Sequence, residues 1–167
     1  MIEKPEFSSK EDLRNYLNTN STKKYSAMNA IGISKFLGAL WTMKLAELSK
    51  QKFEILWFSP GLTYGTNGLA KMSPVQRWMM ENVGFGIMRI LGKAQSPSDG
   101  GRKFADSLNG SIGTNGEVLG APEKQTIGKI SNQIPMNSNL SNPALKEELW
   151  NILKETTGEF SNALAIN

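Results

Sequence analysis

The chain has 167 residues, a net charge of +4, and neither cysteine nor histidine. Without those residues it cannot form disulfides, thiolate or imidazole metal sites, cysteine nucleophiles or a Ser-His-Asp triad, so any acid–base chemistry must use Tyr, Lys, Asp or Glu. The basic residues are scattered, so we expect no nucleic-acid partner. The N-terminus does not resemble a signal peptide and no apolar run is as long as a membrane span, so we expect a cytoplasmic protein without membrane contact.

Two helices are predicted at the start of the chain. The first 24 residues are polar, and Ser9 followed by Asp12 predicts a short helix beginning at Lys10. Residues 26–49 contain no proline, and their apolar residues recur at three- and four-residue steps, which predicts one long amphipathic helix. The predicted apolar stripe consists of Ile31, Leu37, Leu40, Trp41, Leu45 and Leu48.

The middle of the chain alternates predicted strands and helices. Residues 53–58 form an apolar run that ends before Pro60-Gly61, which is typical of a parallel strand buried on both faces. Helices are predicted over residues 75–91 and 98–108, since a proline precedes each segment. A short second strand is predicted over residues 117–119, after an Asn-Gly turn.

The end of the chain is predicted as a loop followed by a helix. Residues 121–142 are poor in large apolar side chains and are predicted to form a surface loop. The last helix begins at Pro143 and ends at Gly158, with Leu145, Leu149, Ile152 and Leu153 on one face. The element order indicates an α/β protein, but two strands are too few for a stable sheet.

Several motifs occur in the order found in short-chain dehydrogenases/reductases. Ser34-Lys35 resembles the end of that family's Tyr-x-x-x-Lys motif on a long helix, and a strand ending in Pro60-Gly61 follows at the usual separation. Residues 96–101, Ser-Pro-Ser-Asp-Gly-Gly, are similar to the Pro-Glu-Glu-Gly opening of the next family helix. The resemblance covers residues 24–158 and is closest to the retinol-dehydrogenase and protochlorophyllide-reductase branches.

This resemblance implies a fold and a division of the chain. The fold would be helix-rich α/β, the C-terminal half of a doubly wound, Rossmann-like parallel sheet. Residues 1–24 would be a polar N-terminal segment, residues 25–158 the dehydrogenase-like half, and residues 159–167 a tail.

The family's chemistry assigns roles to five residues. Lys35 would lower the pKa of the active-site tyrosine and hold the nicotinamide ribose. Pro60 and Gly61 would lie beneath the nicotinamide, and Leu62 and Thr63 would contact its carboxamide. The threonine of the family's Pro-Gly-x-x-x-Thr pattern is replaced here by Gly65.

Two departures from the family bear on activity. Ile31 occupies the position four residues before Lys35, where the family has its proton-donating tyrosine. No G-x-G-x-x-G turn opens a βαβ unit, so the dinucleotide-binding half is missing from these residues. We therefore expect an NAD(P)-dependent oxidoreductase-like polypeptide that is inactive alone. It would bind NADP or NAD only when an N-terminal half completes it, and no cofactor in isolation.

Other interpretations remain open at this stage. Tyr25 and Tyr64 are conceivable substitute proton donors, whereas Ser8 and Ser9 are interpreted as cap and loop residues. The chain could instead be a non-catalytic interaction module, a homo-oligomer subunit or a peripheral membrane protein. The predicted helix 75–91 is expected to pack in the core, with a hydrophobic substrate or a membrane as alternatives. Its apolar residues are Trp78, Met79, Met80, Val83, Ile87 and Met88.

Overall fold

The computed structural model of the protein describes residues 7, 9–17, 26–49 and 53–158. A π-helical turn, Met80–Gly84, joins the third and fourth helices. The helices are α1 Lys10–Leu17, α2 Ala27–Leu48, α3 Pro74–Met79, α4 Phe85–Ile90, α5 Pro97–Leu108 and α6 Pro143–Thr157, and the strands are β1 Trp57–Phe58, β2 Val118–Gly120 and β3 Ser131–Asn132.

The chain divides into two compact units. Among the described residues, a helix-bundle unit comprises residues 7, 9–17, 26–49, 53–57, 114–118 and 133–158, and a strand–loop unit comprises residues 58–113 and 119–132. The helix-bundle unit contains α1, α2 and α6, and the strand–loop unit contains α3, α4 and α5.

The core of the helix-bundle unit lies between α2 and α6, with α1 against α6. The predicted face of α6 is confirmed, because Leu145, Leu149 and Ile152 are buried. The buried residues that form this core cluster are Phe7, Leu13, Phe36, Ala39, Leu40, Met43, Val118, Leu140, Leu145, Leu149 and Ile152.

The predicted stripe of α2 was partly wrong. Leu40 is fully buried, but Ile31, Trp41 and Leu48 are exposed, at 50%, 41% and 37% respectively. Apolar residues occur on every side of α2, so their spacing alone could not select the buried face. The face in the core instead carries Phe36, Ala39, Leu40 and Met43.

Ion pairs connect the helices of this unit. Arg14 on α1 pairs with Glu148 at 2.6 Å and with Glu155 at 2.8 Å, both on α6. Lys44 and Glu47 on α2 pair with Glu147 and Lys146 on α6, respectively. Each pair has at least one well-exposed partner, and ion pairs open to solvent contribute at most about 1 kcal/mol each. The main effect of these ion pairs is therefore on which sides of the helices face each other, and their effect on stability is small.

A three-stranded sheet has the order β1-β2-β3. The amides of Trp57 and Ser59 donate to the carbonyls of Glu117 and Leu119, each at 2.9 Å, so β1 and β2 run parallel. The third strand is antiparallel to β2, with Leu119 opposite Asn132. The α/β class is therefore confirmed.

The predicted strand over residues 53–58 was too long. Only Trp57 and Phe58 are in β1; both are half-buried, and Phe53 is 46% exposed. The amide of Ile55 donates instead to Asn115 Oδ1 at 2.8 Å. Residues 53–56 are therefore held by a side-chain hydrogen bond, and they are not buried on both faces.

The predicted surface loop 121–142 was also wrong in part. It contains β3, two 3-10 turns, Ile134–Met136 and Ser138–Ser141, and the fully buried side chain of Leu140. The third strand consists of Ser131 and Asn132, neither of which is a β-favouring residue. The local sequence therefore gave no indication that this segment pairs with β2.

Candidate functional site

The loop after β1 contains four of the predicted site residues, Pro60 to Thr63, at the carboxyl end of the strand. Gly61 has φ +99°, and a Cβ there would lie 2.6 Å from the carbonyl oxygen of Thr126. The amide of Leu62 donates to that same carbonyl at 2.8 Å, and the carbonyl of Leu62 accepts from the amide of Gln95 at 2.9 Å. The loop thus runs between two other segments of the strand–loop unit, and only glycine fits at position 61.

A buried side-chain network holds this loop. Gln95 is 7% exposed, and its Nε2 donates to the carbonyl of Pro60 at 2.7 Å and to Thr63 Oγ1 at 3.3 Å. Lys103 Nζ donates to Gln95 Oε1 at 2.6 Å and to the carbonyl of Gly128 at 2.8 Å. Every polar atom of the Gln95 amide group is therefore used to position the loop.

Lys103 is partly buried beside Gln95. Desolvation lowers the pKa of its ammonium, and the nearby carboxylate of Asp99 partly opposes that shift. Asp99 itself accepts from Ser96 Oγ at 2.7 Å, and this hydrogen bond holds the pKa of the carboxyl below its ordinary value. Sequence reasoning did not identify Gln95 or Lys103, because neither belongs to a motif.

The loop's polar groups already have partners within the protein. The Leu62 amide is bonded to Thr126, and Thr63 Oγ1 donates to the carbonyl of Gly61 at 3.3 Å. A bound carboxamide would have to replace these hydrogen bonds. The loop after β1 therefore has a firmly held backbone, and the Leu62 amide and the Thr63 hydroxyl are not free to bind a ligand.

Lys35 and Ile31 lie on α2 in the helix-bundle unit, whereas Pro60 to Thr63 belong to the strand–loop unit. Ile31 and Lys35 are four residues apart and therefore lie on the same face of α2. Ile31 is half exposed and Lys35 is partly buried. Among the described residues Lys35 forms no ion pair, so its ammonium has no carboxylate partner there. Tyr25 and Ser8 lie outside the described residues.

A cavity of about 490 Å³ lies next to the strand-end loop within the strand–loop unit. Arg89 lies over the ring of Tyr64, 4.6 Å from its centroid, and Arg77 pairs with Glu81 at 2.7 Å. The cavity lining therefore combines charged, polar and aromatic groups. Its lining comprises Tyr64, Gly65, Thr66, Asn67, Arg77, Glu81, Asn82, Phe85, Gly86 and Arg89.

We expect Gly61→Ala to destabilise the protein strongly. The substitution adds about 1–2 kcal/mol for a left-handed conformation and about 1–3 kcal/mol for the forced contact with the Thr126 carbonyl. Gly92 is a matched control, because its φ is +63° but a Cβ there would meet no atom within 4 Å. Urea unfolding should show a clearly larger loss for Gly61→Ala than for Gly92→Ala. Equal losses would mean that the strand-end loop is not packed as described.

Comparisons with known proteins do not assign a function to these residues. Neither profiles of known families, nor curated proteins, nor solved structures match this chain. Within the described residues no cluster of three or more acidic residues is arranged to hold a metal ion. No helix in the same part of the chain has the length and hydropathy needed to cross a membrane.

Proposed function

We propose that these residues form the C-terminal half of a short-chain dehydrogenase/reductase-like, NAD(P)-dependent oxidoreductase domain that is not competent alone. The observation that carries this proposal is the parallel pairing of β1 with β2, with Pro60-Gly61 at the carboxyl end of β1. Open α/β sheets bind their ligands outside the carboxyl ends of parallel strands. The strand-end loop is thus where a nicotinamide would be held.

The order of the elements supports the same proposal. The long helix α2, which carries Ser34-Lys35, precedes β1, and the helices α3, α4 and α5 lie between β1 and its parallel neighbour β2 in the sequence. A helix between two adjacent parallel strands is the crossover expected of a doubly wound sheet. The antiparallel strand β3 is an addition to this pattern.

The residues present would perform only part of the reaction. NADP or NAD would supply the hydride when bound, and Lys35 would hold the nicotinamide ribose. Pro60 and Gly61 would lie beneath the ring, and Leu62 and Thr63 would contact its carboxamide only in exchange for the hydrogen bonds that they make within the protein. The proton that accompanies hydride transfer would have no donor at Ile31, which carries no ionisable group.

We expect the 167-residue chain to bind neither NADPH nor NADH measurably. Cofactor pyrophosphate is held mainly by backbone amides at a glycine-rich helix N-terminus, and one lysine with a Pro-Gly loop does not replace them. Isothermal titration calorimetry of each cofactor into the purified chain should give only heats of dilution. A complete short-chain reductase titrated under the same conditions serves as the control. A micromolar dissociation constant for the chain alone would contradict the proposal.

A further inference from the structure

The segment from Pro74 to Ile90, named the helical arm here, exposes most of its apolar side chains. It consists of α3, the π-helical turn and α4, and the expectation that it packs in the core was wrong. Val75, Val83 and Ile87 are 71%, 46% and 52% exposed, and Ile90 is 87% exposed. The other exposed apolar residues of this stretch are Trp78, Met79, Met80 and Leu91.

Four of the exposed apolar residues share one side of the arm. Val75, Met79, Val83 and Ile87 follow one another at four-residue steps, which places them along a single face. The residues that line the cavity are different: Arg77, Glu81, Asn82, Phe85 and Arg89. The arm is therefore amphipathic. Its apolar side is left uncovered within the described part of the chain.

The charges near this face favour one kind of partner. Residues 71–93 contain four basic residues, Lys71, Arg77, Arg89 and Lys93, and one acidic residue, Glu81. Because Glu81 pairs with Arg77 at 2.7 Å, the other three cations are not neutralised by an acid of this segment. A second copy of the same arm would bring these cations together, and that repulsion opposes self-association. An anionic surface complements them.

We propose that the apolar face of the helical arm binds the surface of an anionic lipid bilayer. The arm would lie in the plane of the interface, with its apolar face among the acyl chains and Lys71 and Lys93 at the lipid headgroups. The arm's 17 residues extend about 25 Å at the ordinary helical rise, and no described helix is suited to span a membrane. This role does not depend on the proposed oxidoreductase function.

Vesicle co-sedimentation of the full chain tests the proposal directly. The chain should bind phosphatidylcholine vesicles that contain phosphatidylserine and should not bind phosphatidylcholine alone. High salt should weaken the binding, because each basic residue near an anionic surface contributes about fivefold at ordinary ionic strength. Binding should also shift tryptophan emission to the blue, and Trp78→Phe should remove most of that shift.

Two pairs of variants separate the apolar contribution from the charge contribution. Val83→Asp combined with Ile87→Asp should lower vesicle binding by about tenfold or more, whereas Leu108→Asp, which alters a 79% exposed leucine outside the arm, should not. Lys71→Glu combined with Lys93→Glu should lower binding by a similar factor. The same changes at Lys10 and Lys129, two exposed lysines elsewhere, should leave it unchanged.

The outcomes are decisive in either direction. Loss of binding with the arm variants but not with their controls supports the proposal. Failure of the parent chain to bind anionic vesicles would overturn it, as would undiminished binding by the Val83/Ile87 variant. If the chain instead forms dimers that the Val83/Ile87 variant disrupts, and does not bind vesicles, the face is a protein interface and the lipid proposal is wrong. None of these results alters the cofactor titration.

Discussion

Leu40→Asp is expected to unfold the helix-bundle unit. Leu40 is fully buried in the core between α2 and α6. Truncating such a leucine to alanine alone costs about 2–5 kcal/mol, and a buried carboxylate without a partner adds several kcal/mol or must be neutralised. This sum approaches the whole stability of an ordinary domain, which is about 5–15 kcal/mol. The variant should show a large loss of helical circular dichroism or should aggregate at room temperature.

Trp41→Asp provides the matched control on the same helix. Trp41 is the next residue along α2 and is 41% exposed, so its replacement buries no charge. We expect the Trp41 variant to retain its helical content and melt within a few degrees of the parent. If the two variants behave alike, the face of α2 that enters the core has been assigned wrongly.

The second large effect is expected at Ile31, once the domain is completed. The first half of a characterised short-chain reductase, ending before its active-site helix, would be fused ahead of residue 24. That protein should bind cofactor but reduce carbonyl substrates very slowly, because Ile31 has no proton to give. Ile31→Tyr should raise kcat about a hundredfold, within the usual range of general acid–base contributions. Since Ile31 is half exposed, the larger side chain should fit without disturbing the core.

Two further variants distinguish proton donation from added bulk. Ile31→Phe supplies the ring without the hydroxyl and should give no increase in kcat. Lys35→Ala in the Ile31→Tyr background should remove the gain, because the phenol loses the cation that lowers its pKa. Rates must be compared at saturating cofactor, so that weaker binding is not mistaken for slower chemistry. Full activity of the unmodified fusion protein would show that another group donates the proton, and Tyr64 would be examined first.

Helix positions could be predicted because their signals are local. The N-cap of α2 is Ser26, whose hydroxyl accepts from the Asn29 amide, and Ser96 caps α5 in the same way. Asn142 accepts from the Ala144 amide at the start of α6. Such caps act within one turn, so the sequence displays them directly. Predicted and observed bounds of α1, α2, α5 and α6 therefore agree closely.

Strand pairing and helix exposure could not be predicted in the same way. Whether Phe53 is covered depends on residues far along the chain, and the pairing of Ser131 with Gly120 has no apolar pattern to reveal it. The helical arm is another case. A helix was correctly predicted there, but the spacing of its apolar residues does not say whether they contact protein or another partner.

In the candidate site, too, the residues with a local sequence signal could be predicted and the others could not. Pro60 and Gly61 were identified because a proline and a glycine after an apolar run mark a strand end, and the positive φ of Gly61 agrees with that position. Gln95 and Lys103, which hold the loop, lie more than thirty residues further along the chain. A buried glutamine is recognisable only from its three-dimensional surroundings. The contact between a lysine and an amide oxygen likewise has no sequence spacing of its own.

Calorimetric titration of NADPH into the fusion protein, and into each half alone, tests the central claim most directly. The 167-residue chain alone should give no measurable binding, and the first half alone should bind more weakly than the fusion protein. The fusion protein should bind with a micromolar dissociation constant. Lys35→Ala should weaken that binding by about tenfold or more, as expected for loss of a charge-assisted hydrogen bond to the ribose. A fusion protein that folds but does not bind NADPH or NADH would contradict the proposal that these residues complete a dehydrogenase site.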